Sequence, residues 1–278
     1  MKLSTATSIL VNYQLLDAID AVASSGFTGI DVWCGRPHLY RRDYSKEYLL
    51  KVAEKLKGLG LYVVSAMPAF FRYPHSLSST VDNICQDSIA YMRDCIENAA
   101  IINAGHVLVV PSNNLYGQTV EDARKVFIRN LEKVCEIAQQ NNVLLGVEVL
   151  NPQLSRFACT AAQVMGIIKE IGWDDLGLVL DTGHVNLSDE TFEQALDIAG
   201  DRLMQIHIND NHGEEMLNAV PGEGNFDFVD LSRVIKASGY SGYLSLELGW
   251  HYSFDREPVL REAVKMSRKL IDWLDSSA

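Results

Sequence analysis

One unit recurs along this chain and constrains its fold more than any other feature. A short β-rich run leads into a polar loop, and the loop into a segment with apolar residues at helical spacing. The runs Lys2–Thr7, Gly29–Cys34, Leu61–Ala66, His106–Pro111, Leu144–Val149, Gly177–Asp181, Met204–Ile208 and Tyr243–Leu248 read as strands. Asp17–Ser25, Lys46–Leu59, Val81–Asn103, Glu121–Asn141, Ala161–Ile171, Thr191–Ala199, Phe228–Ser238 and Glu257–Leu274 read as helices. Strands that alternate with helices pair in parallel through right-handed crossovers. Eight such units fit a closed (β/α)8 TIM barrel, a single α/β domain over residues 1–278. A doubly wound open sheet would carry a glycine-rich turn after its first strand. Here that strand runs into Ser8-Ile9-Leu10.

Punctuation supports the same reading. Ser45, Thr80 and Asp227 stand where helix N-caps belong, and Gly60, Gly105, Gly172 and Gly239 follow helix ends. The long loops, Gly35–Tyr44, Pro68–Ser79, Ser112–Thr119 and Asn209–Asn225, all follow strands. In a barrel those loops build the active face.

Composition narrows the partners. Lys and Arg number 24 against 36 Asp and Glu, a formal charge of −12, which disfavours phosphate backbones and anionic lipid. Cys34, Cys85, Cys95, Cys135 and Cys159 are odd in number and form no C-x-x-C, so reduced thiols in a cytoplasmic protein are expected. The first residues do not read as a signal peptide, and no run approaches the ~20 apolar residues of a membrane helix.

Side chains alternate along a strand, so one parity fills the barrel and the other meets the helices. In the fifth strand Leu145, Val147 and Val149 leave Gly146 and Glu148 on the other face. The sixth opposes Leu178 and Leu180 to Val179 and Asp181. The seventh opposes Ile206 and Ile208 to Gln205, His207 and Asn209, and the eighth Leu244, Leu246 and Leu248 to Ser245 and Glu247. The inward sets therefore bring Glu148, Asp181, His207 and Glu247 to one spot from four neighbouring strands. Three carboxylates in a dry barrel mouth must take up protons or share a cation. One imidazole with three carboxylates suits Mn²⁺, Mg²⁺ or Co²⁺ more than structural zinc.

The segments Gly146-Val147-Glu148-Val149, Leu180-Asp181-Thr182-Gly183-His184, His207-Ile208-Asn209-Asp210, Pro221-Gly222-Glu223-Gly224 and Leu246-Glu247 resemble the xylose-isomerase-like TIM barrel family of sugar epimerases and isomerases. Gly29-Ile30-Asp31-Val32-Trp33 followed by Gly35-Arg36-Pro37-His38 looks like its fructoselysine and D-tagatose 3-epimerase members. The resemblance implies that Glu148, Asp181, His207 and Glu247 bind one divalent metal ion, Mn²⁺ favoured, with Mg²⁺, Co²⁺ and Zn²⁺ as substitutes. It implies that Glu148 and Glu247 are also acid and base, and that His184 contacts a substrate oxygen. It also implies a small sugar or polyol as substrate and a homo-oligomer, dimer or tetramer. Two positions depart from the pattern. Leu154 stands where those epimerases have a substrate-contacting Glu, and Asp210-Asn211-His212-Gly213 stands for D-x-D-G.

The chemistry then expected is proton transfer at C3 of a ketose through a metal-stabilised enediolate. One carboxylate removes the proton and the other returns one to the opposite face. Return to the neighbouring carbon gives aldose–ketose isomerisation instead. Trp33 is a candidate to stack on a sugar face, Arg156 to bind an anionic or extra hydroxyl group, and His212 to replace a family acid. His38 is expected in solvent, Phe70-Phe71-Arg72-Tyr73 as a lid or subunit contact, and Glu223 as a support for its loop. His75, His106 and His251 are expected to be structural. Competing readings are an inosose or cyclic polyol isomerase or dehydratase, an endonuclease IV-type phosphodiesterase and a non-enzymatic sugar binder. The stretch Met216–Val220 lacks the extra zinc ligand that the nuclease needs, and the acidic surface repels nucleic acid.

Overall fold

Strand formation follows the aliphatic parity. Leu145 and Val147, Leu178 and Leu180, Ile206 and Ile208, and Leu244 and Leu246 are all buried. In the computed structural model, which describes residues 2–70, 75–254, 260, 261, 263–265, 268, 269 and 272, eight strands result. They are β1 Lys2–Thr5, β2 Gly29–Trp33, β3 Tyr62–Met67, β4 His106–Val109, β5 Leu145–Glu148, β6 Leu176–Asp181, β7 Leu203–Ile208 and β8 Tyr243–Leu246. The helices are α1 Leu15–Ser24, α2 Lys46–Gly58, α3 Asp82–Ile101, α4 Val120–Asn141, α5 Ala161–Ile171, the short α6 Thr182–Val185, α7 Phe192–Ala199 and α8 Phe228–Ser238. The expected helix Glu257–Leu274 falls largely outside the described residues; those described within it are helical.

All strands pair in parallel in the order β1-β8-β7-β6-β5-β4-β3-β2. Between β1 and β2 the edges meet through one parallel bridge, Ala6 with Asp31, and the Thr28 N–H donates to the Leu3 carbonyl at 3.2 Å. The sheet is thus a nearly closed (β/α)8 barrel, as the sequence pattern predicts. No helix among the described residues is long and apolar enough to cross a membrane.

Two register shifts position what points inward. Between Ile30 and Asp31 one residue of β3 is skipped, which sets Asp31 opposite Ser65. Between Leu178 and Val179 one residue of β7 is skipped, which sets Asp181 opposite His207. A β-bulge of this kind re-aims every side chain beyond it. Deep in the barrel Asp31 accepts from the Ser65 hydroxyl and from Gln205 Nε2, both at 2.7 Å. Gln205 also bonds Ser245, which bonds Ser4. This buried layer forms the floor beneath the mouth of the barrel.

Helix ends mostly follow the expected punctuation. Ser45 and Asp227 cap α2 and α8 through their side chains, and Gly172 and Gly239 end α5 and α8 at φ +67° and +72°. Thr80 is not the cap of α3. Val81 holds that position without a side-chain bond, and the Ser79 hydroxyl accepts from its N–H at 3.1 Å. Gly105 does not end α3 either; Asn103 takes the left-handed turn at φ +55°. A Cβ on Gly105 would lie 2.8 Å from the Val64 carbonyl, so close strand approach fixes that glycine.

Candidate active site

The mouth is built from the ends of four adjacent strands. Glu148 ends β5, Asp181 ends β6, His207 lies in β7, and Glu247 follows the last residue of β8, its N–H donating to the Ile208 carbonyl at 3.3 Å. One ligand atom from each falls within 4.8 Å of every other. His207 Nδ1 is 2.9 Å from Glu148 Oε1 and 3.0 Å from Glu247 Oε2, so two carboxylates converge on one nitrogen. Asp181 is anchored from behind. Its Oδ1 accepts from the His184 N–H at 2.9 Å, and its Oδ2 from Asn209 Nδ2 at 2.7 Å.

The electrostatics show a site that needs positive charge. Burial, offset in part by His184, and the charges of Glu247 and Glu148 push the Asp181 carboxyl up to about 6. Burial pulls the His207 imidazole down, but its hydrogen bonds to Glu148 and Glu247 outweigh that and hold it well above the usual histidine range. Burial pushes Glu247 up, and His207 overrides it to leave that carboxyl lowered. Three carboxylates around an imidazole that can only offset one charge are a donor set that fits a divalent cation.

His184, at the head of the mouth in α6, is 6% exposed, and its orientation is set by Asn151. Asn151 Oδ1 accepts the N–H groups of Gln153 and Leu154 at 2.9 and 3.2 Å. That fixes the carboxamide, so Nδ2 is the atom 3.0 Å from His184 Nδ1. An amide nitrogen only donates, so His184 Nδ1 accepts and its proton sits on Nε2. His184, Glu148 and Glu247 line a cavity of about 60 Å³ with apolar walls that include Leu154 and Met216. Beyond Glu247 a cleft of about 660 Å³ continues past Trp250 and His251.

The loop Asn209–Asn225 carries part of this wall and is tied down by Asp210. That buried carboxylate accepts four backbone N–H groups: Asn211 and Phe226 on Oδ1 at 2.9 and 3.1 Å, Gly222 and Gly224 on Oδ2 at 2.9 Å each. Asp210 and Ala219 also bridge in antiparallel fashion, which presents Met216 and Asn218 to the cavity. Gly224 passes so close that a Cβ would lie 2.4 Å from Asp210 Oδ1. Glu223 supports the loop as expected, accepting from the Tyr252 hydroxyl.

Other expected contacts are placed differently. Trp33 is 8% exposed and packs edge-on against Trp250 at 5.8 Å, one layer behind the cleft. Arg156 lines a separate cleft across Leu154. His212 is exposed and lines neither the cavity nor the adjoining clefts. His38 is not in solvent: it is fully buried beside Trp33, and burial lowers its pKa to about 4. Phe70 is buried against Tyr91 and His75, while Phe71, Arg72 and Tyr73 lie outside the described residues. Sequence reasoning missed Asn151 and Asp210 as organisers of the site. Asn209 shares the inward parity of His207, which was the available signal for its role.

Fold and site together define a class: a parallel (β/α)8 barrel with a carboxylate–histidine cluster at the C-terminal ends of β5 to β8. The xylose isomerase-like TIM barrel family model matches residues 19–270, and the chain belongs to that family. Fructoselysine 3-epimerase of Shigella flexneri is 26% identical over 254 residues, covering 88% of this chain and 89% of the relative. A D-tagatose 3-epimerase-like protein of known structure superimposes with TM-score 0.85 at 19% identity, covering 100% and 99% of the two chains. The IOLI protein, whose structure has a zinc atom bound, superimposes with TM-score 0.80 at 20% identity over 99% of each chain.

Proposed function

We propose that this protein is a divalent-metal-dependent sugar epimerase that inverts C3 of a ketose. The observation that carries the reading is the convergence of Glu148, Asp181, His207 and Glu247, with the two glutamates meeting at His207 Nδ1. Curated relatives named as ketose 3-epimerases support the substrate class. Glu148, Asp181, His207 and Glu247 would hold a divalent ion, Mn²⁺ by preference, and the chemistry it would supply is Lewis-acid polarisation of the ketose.

The chain's own residues do the rest. Glu148 and Glu247 enter from β5 and β8, on opposite sides of β6 and β7. A ketose between them meets one carboxylate on each face. One takes the C3 proton, leaving the enediolate, and the other delivers a proton to the opposite face. His184 donates its Nε2–H to a substrate oxygen and so stabilises developing negative charge. Leu154, Met216, Val110 and Pro111 keep bulk water from the proton in transit. Five unpaired cysteines accord with a reducing, cytoplasmic setting.

The test is solvent exchange. Purified protein supplied with Mn²⁺ in D₂O should incorporate deuterium at C3 of a ketose and form the C3 epimer, and chelation should stop both. Deuterium at C1 with aldose formation would show isomerisation, and dehydration of an inosose would show the cyclic-polyol chemistry. Either result would replace this reading.

A further inference from the structure

Across Leu154 from the carboxylates lies another cleft, of about 710 Å³. That is within the ~300–1,000 Å³ of small-molecule sites. Leu154 borders this cleft, the 60 Å³ cavity at Glu148 and the 660 Å³ cleft beyond Glu247. The cavity of about 60 Å³ and the cleft of about 660 Å³ beyond Glu247 together offer the room that a single sugar needs. The cleft across Leu154 is space that a monosaccharide does not need.

Its wall has a definite chemistry. It is lined by carboxamides from the segments after β4 and β5, and the loop uses only part of their capacity. Asn114 Nδ2 donates to the Gln118 carbonyl at 3.0 Å, and Gln153 Nε2 to the Glu214 carbonyl at 3.3 Å. Asn114 Oδ1 and Gln153 Oε1 have no hydrogen-bond partner among the described residues, nor does the Arg156 guanidinium. Ser112 is 5% exposed, and its hydroxyl is buried without a partner. Tyr116 stands fully exposed at the rim and offers a flat aromatic face.

Unused donors and acceptors side by side, with an aromatic face, match hydroxyl groups on a ring, since each hydroxyl both donates and accepts. Among the described residues no Asp or Glu lines the cleft, so an ammonium group finds no counter-charge from them. Among the described residues Arg156 is the only Lys or Arg along it, which is meagre for a phosphate.

We propose that the natural substrate is a ketose carrying a second, neutral polyhydroxylated unit, a glycosyl-ketose, and that this second unit lies in the cleft beside Asn114, Gln153 and Tyr116. The proposal rests on the epimerase reading. The chemistry at C3 is unchanged: the C3–H bond breaks and re-forms on the other face, and the glycosidic bond stays intact.

Binding can be tested apart from turnover. Hexitols and hexosyl-hexitols lack the carbonyl and cannot react. Calorimetric titration of the Mn²⁺-supplied protein should show the hexosyl-hexitol binding about tenfold tighter than the hexitol, the yield of one or two net hydrogen bonds. Tyr116→Ala and Gln153→Leu should each lose part of that preference and leave hexitol binding unchanged. In D₂O, hexosyl-ketoses with a free C3 hydroxyl should exchange with higher kcat/KM than the free ketose. Equal binding of the two polyols overturns the proposal. So does a full preference retained in both variants, or a gain conferred instead by a phosphate or an aminoalkyl group. Exchange on free ketoses without any gain from the hexosyl unit removes the subsite alone. No exchange on any ketose removes the epimerase reading itself.

Discussion

Replacing Asp210 with Asn tests whether one carboxylate holds the wall of the active site. The side chain is fully buried and accepts four backbone N–H groups, two on each oxygen. An Asn side chain keeps one acceptor oxygen and turns an NH₂ group toward the other pair of donors. Flipping the amide only changes which pair is orphaned. A hydrogen bond to a charged group contributes ~1.5–3 kcal/mol, and an unsatisfied buried donor costs ~1–3 kcal/mol. Two lost bonds give about 3–6 kcal/mol. Gly222 is exposed and Gly224 partly so, and water can reach that pair, which places the expected loss near the lower end, about 3 kcal/mol. Equilibrium urea unfolding followed by circular dichroism reads the change in midpoint. Glu215→Gln, an exposed carboxylate on the same loop, is the control and should stay within ~0.5 kcal/mol. Because the Asp210–Ala219 bridge presents Met216 and Asn218 to the cavity, the Asn variant should also lose turnover at temperatures where it remains folded. A stability loss under ~1 kcal/mol for Asp210→Asn, with full turnover, would show that the turn is held by something other than this carboxylate.

Other expectations follow from the same geometry. Glu148→Gln and Glu247→Gln should each lower ketose turnover by ~10²–10⁴-fold while circular dichroism shows the fold intact; near-normal activity in either refutes its acid–base role. Asn151→Asp should place an acceptor against His184 Nδ1, move the ring proton there and remove the Nε2–H donor. A loss of ~10²-fold in kcat with KM nearly unchanged is expected, and unchanged kcat sinks the assigned tautomer. Acid should destabilise the fold through three buried histidines: burial lowers His38 and His75 to about 4, and burial with the His207 charge lowers His106 to about 3. Unfolding returns each to ~6.5, so the unfolded chain binds more protons as pH falls below that value. Stability is then complete above about pH 6.5 and declines toward pH 4, by up to ~1.4 kcal/mol per pH unit for each histidine. Asp181, raised to about 6, runs the opposite way in metal-free protein and offsets one of the three. Thermal unfolding midpoints that stay flat between those limits would contradict the burial of these rings.

What could be read from the sequence, and what could not, divides along physical lines. Alternation along a strand is a local property, so the aliphatic set of β5 to β8 already separates Glu148, Asp181, His207 and Glu247 from the helix-facing residues. The register between strands is not local. The skipped residue that sets Asp181 opposite His207 arises from the pairing of β6 with β7, and no spacing within either strand announces it. Parity puts the three carboxylates and the imidazole on the inside, and the bulge puts Asp181 and His207 at the same height. Burial in loops is equally non-local. His38 looked like a solvated loop residue because its enclosure depends on Trp33, and through Trp33 on Trp250 from the far end of the chain.

Organising residues were hidden for a related reason. Asn151 lies in none of the motifs, and Asp210 lies in one that does not state its role; their partners are backbone N–H groups and a ring nitrogen brought near by the fold. Asp210 reaches Gly222, Gly224 and Phe226 across the loop, so only the closed loop reveals its role. Leu154 joins both kinds of information. The sequence shows an apolar residue where the family resemblance implies a glutamate, which by itself signals only a lost polar contact. The structure puts that leucine at the meeting point of the carboxylate cavity and two clefts. An apolar ridge there demands no hydrogen bond from a substrate that crosses it, so recognition has to come from the walls on either side. On the Glu247 side those walls include Trp250 and His251; on the other they are Asn114, Gln153 and Arg156. On the proposed reading, substrate identity in this chain is therefore decided outside the carboxylate–histidine cluster, by the groups beyond Leu154.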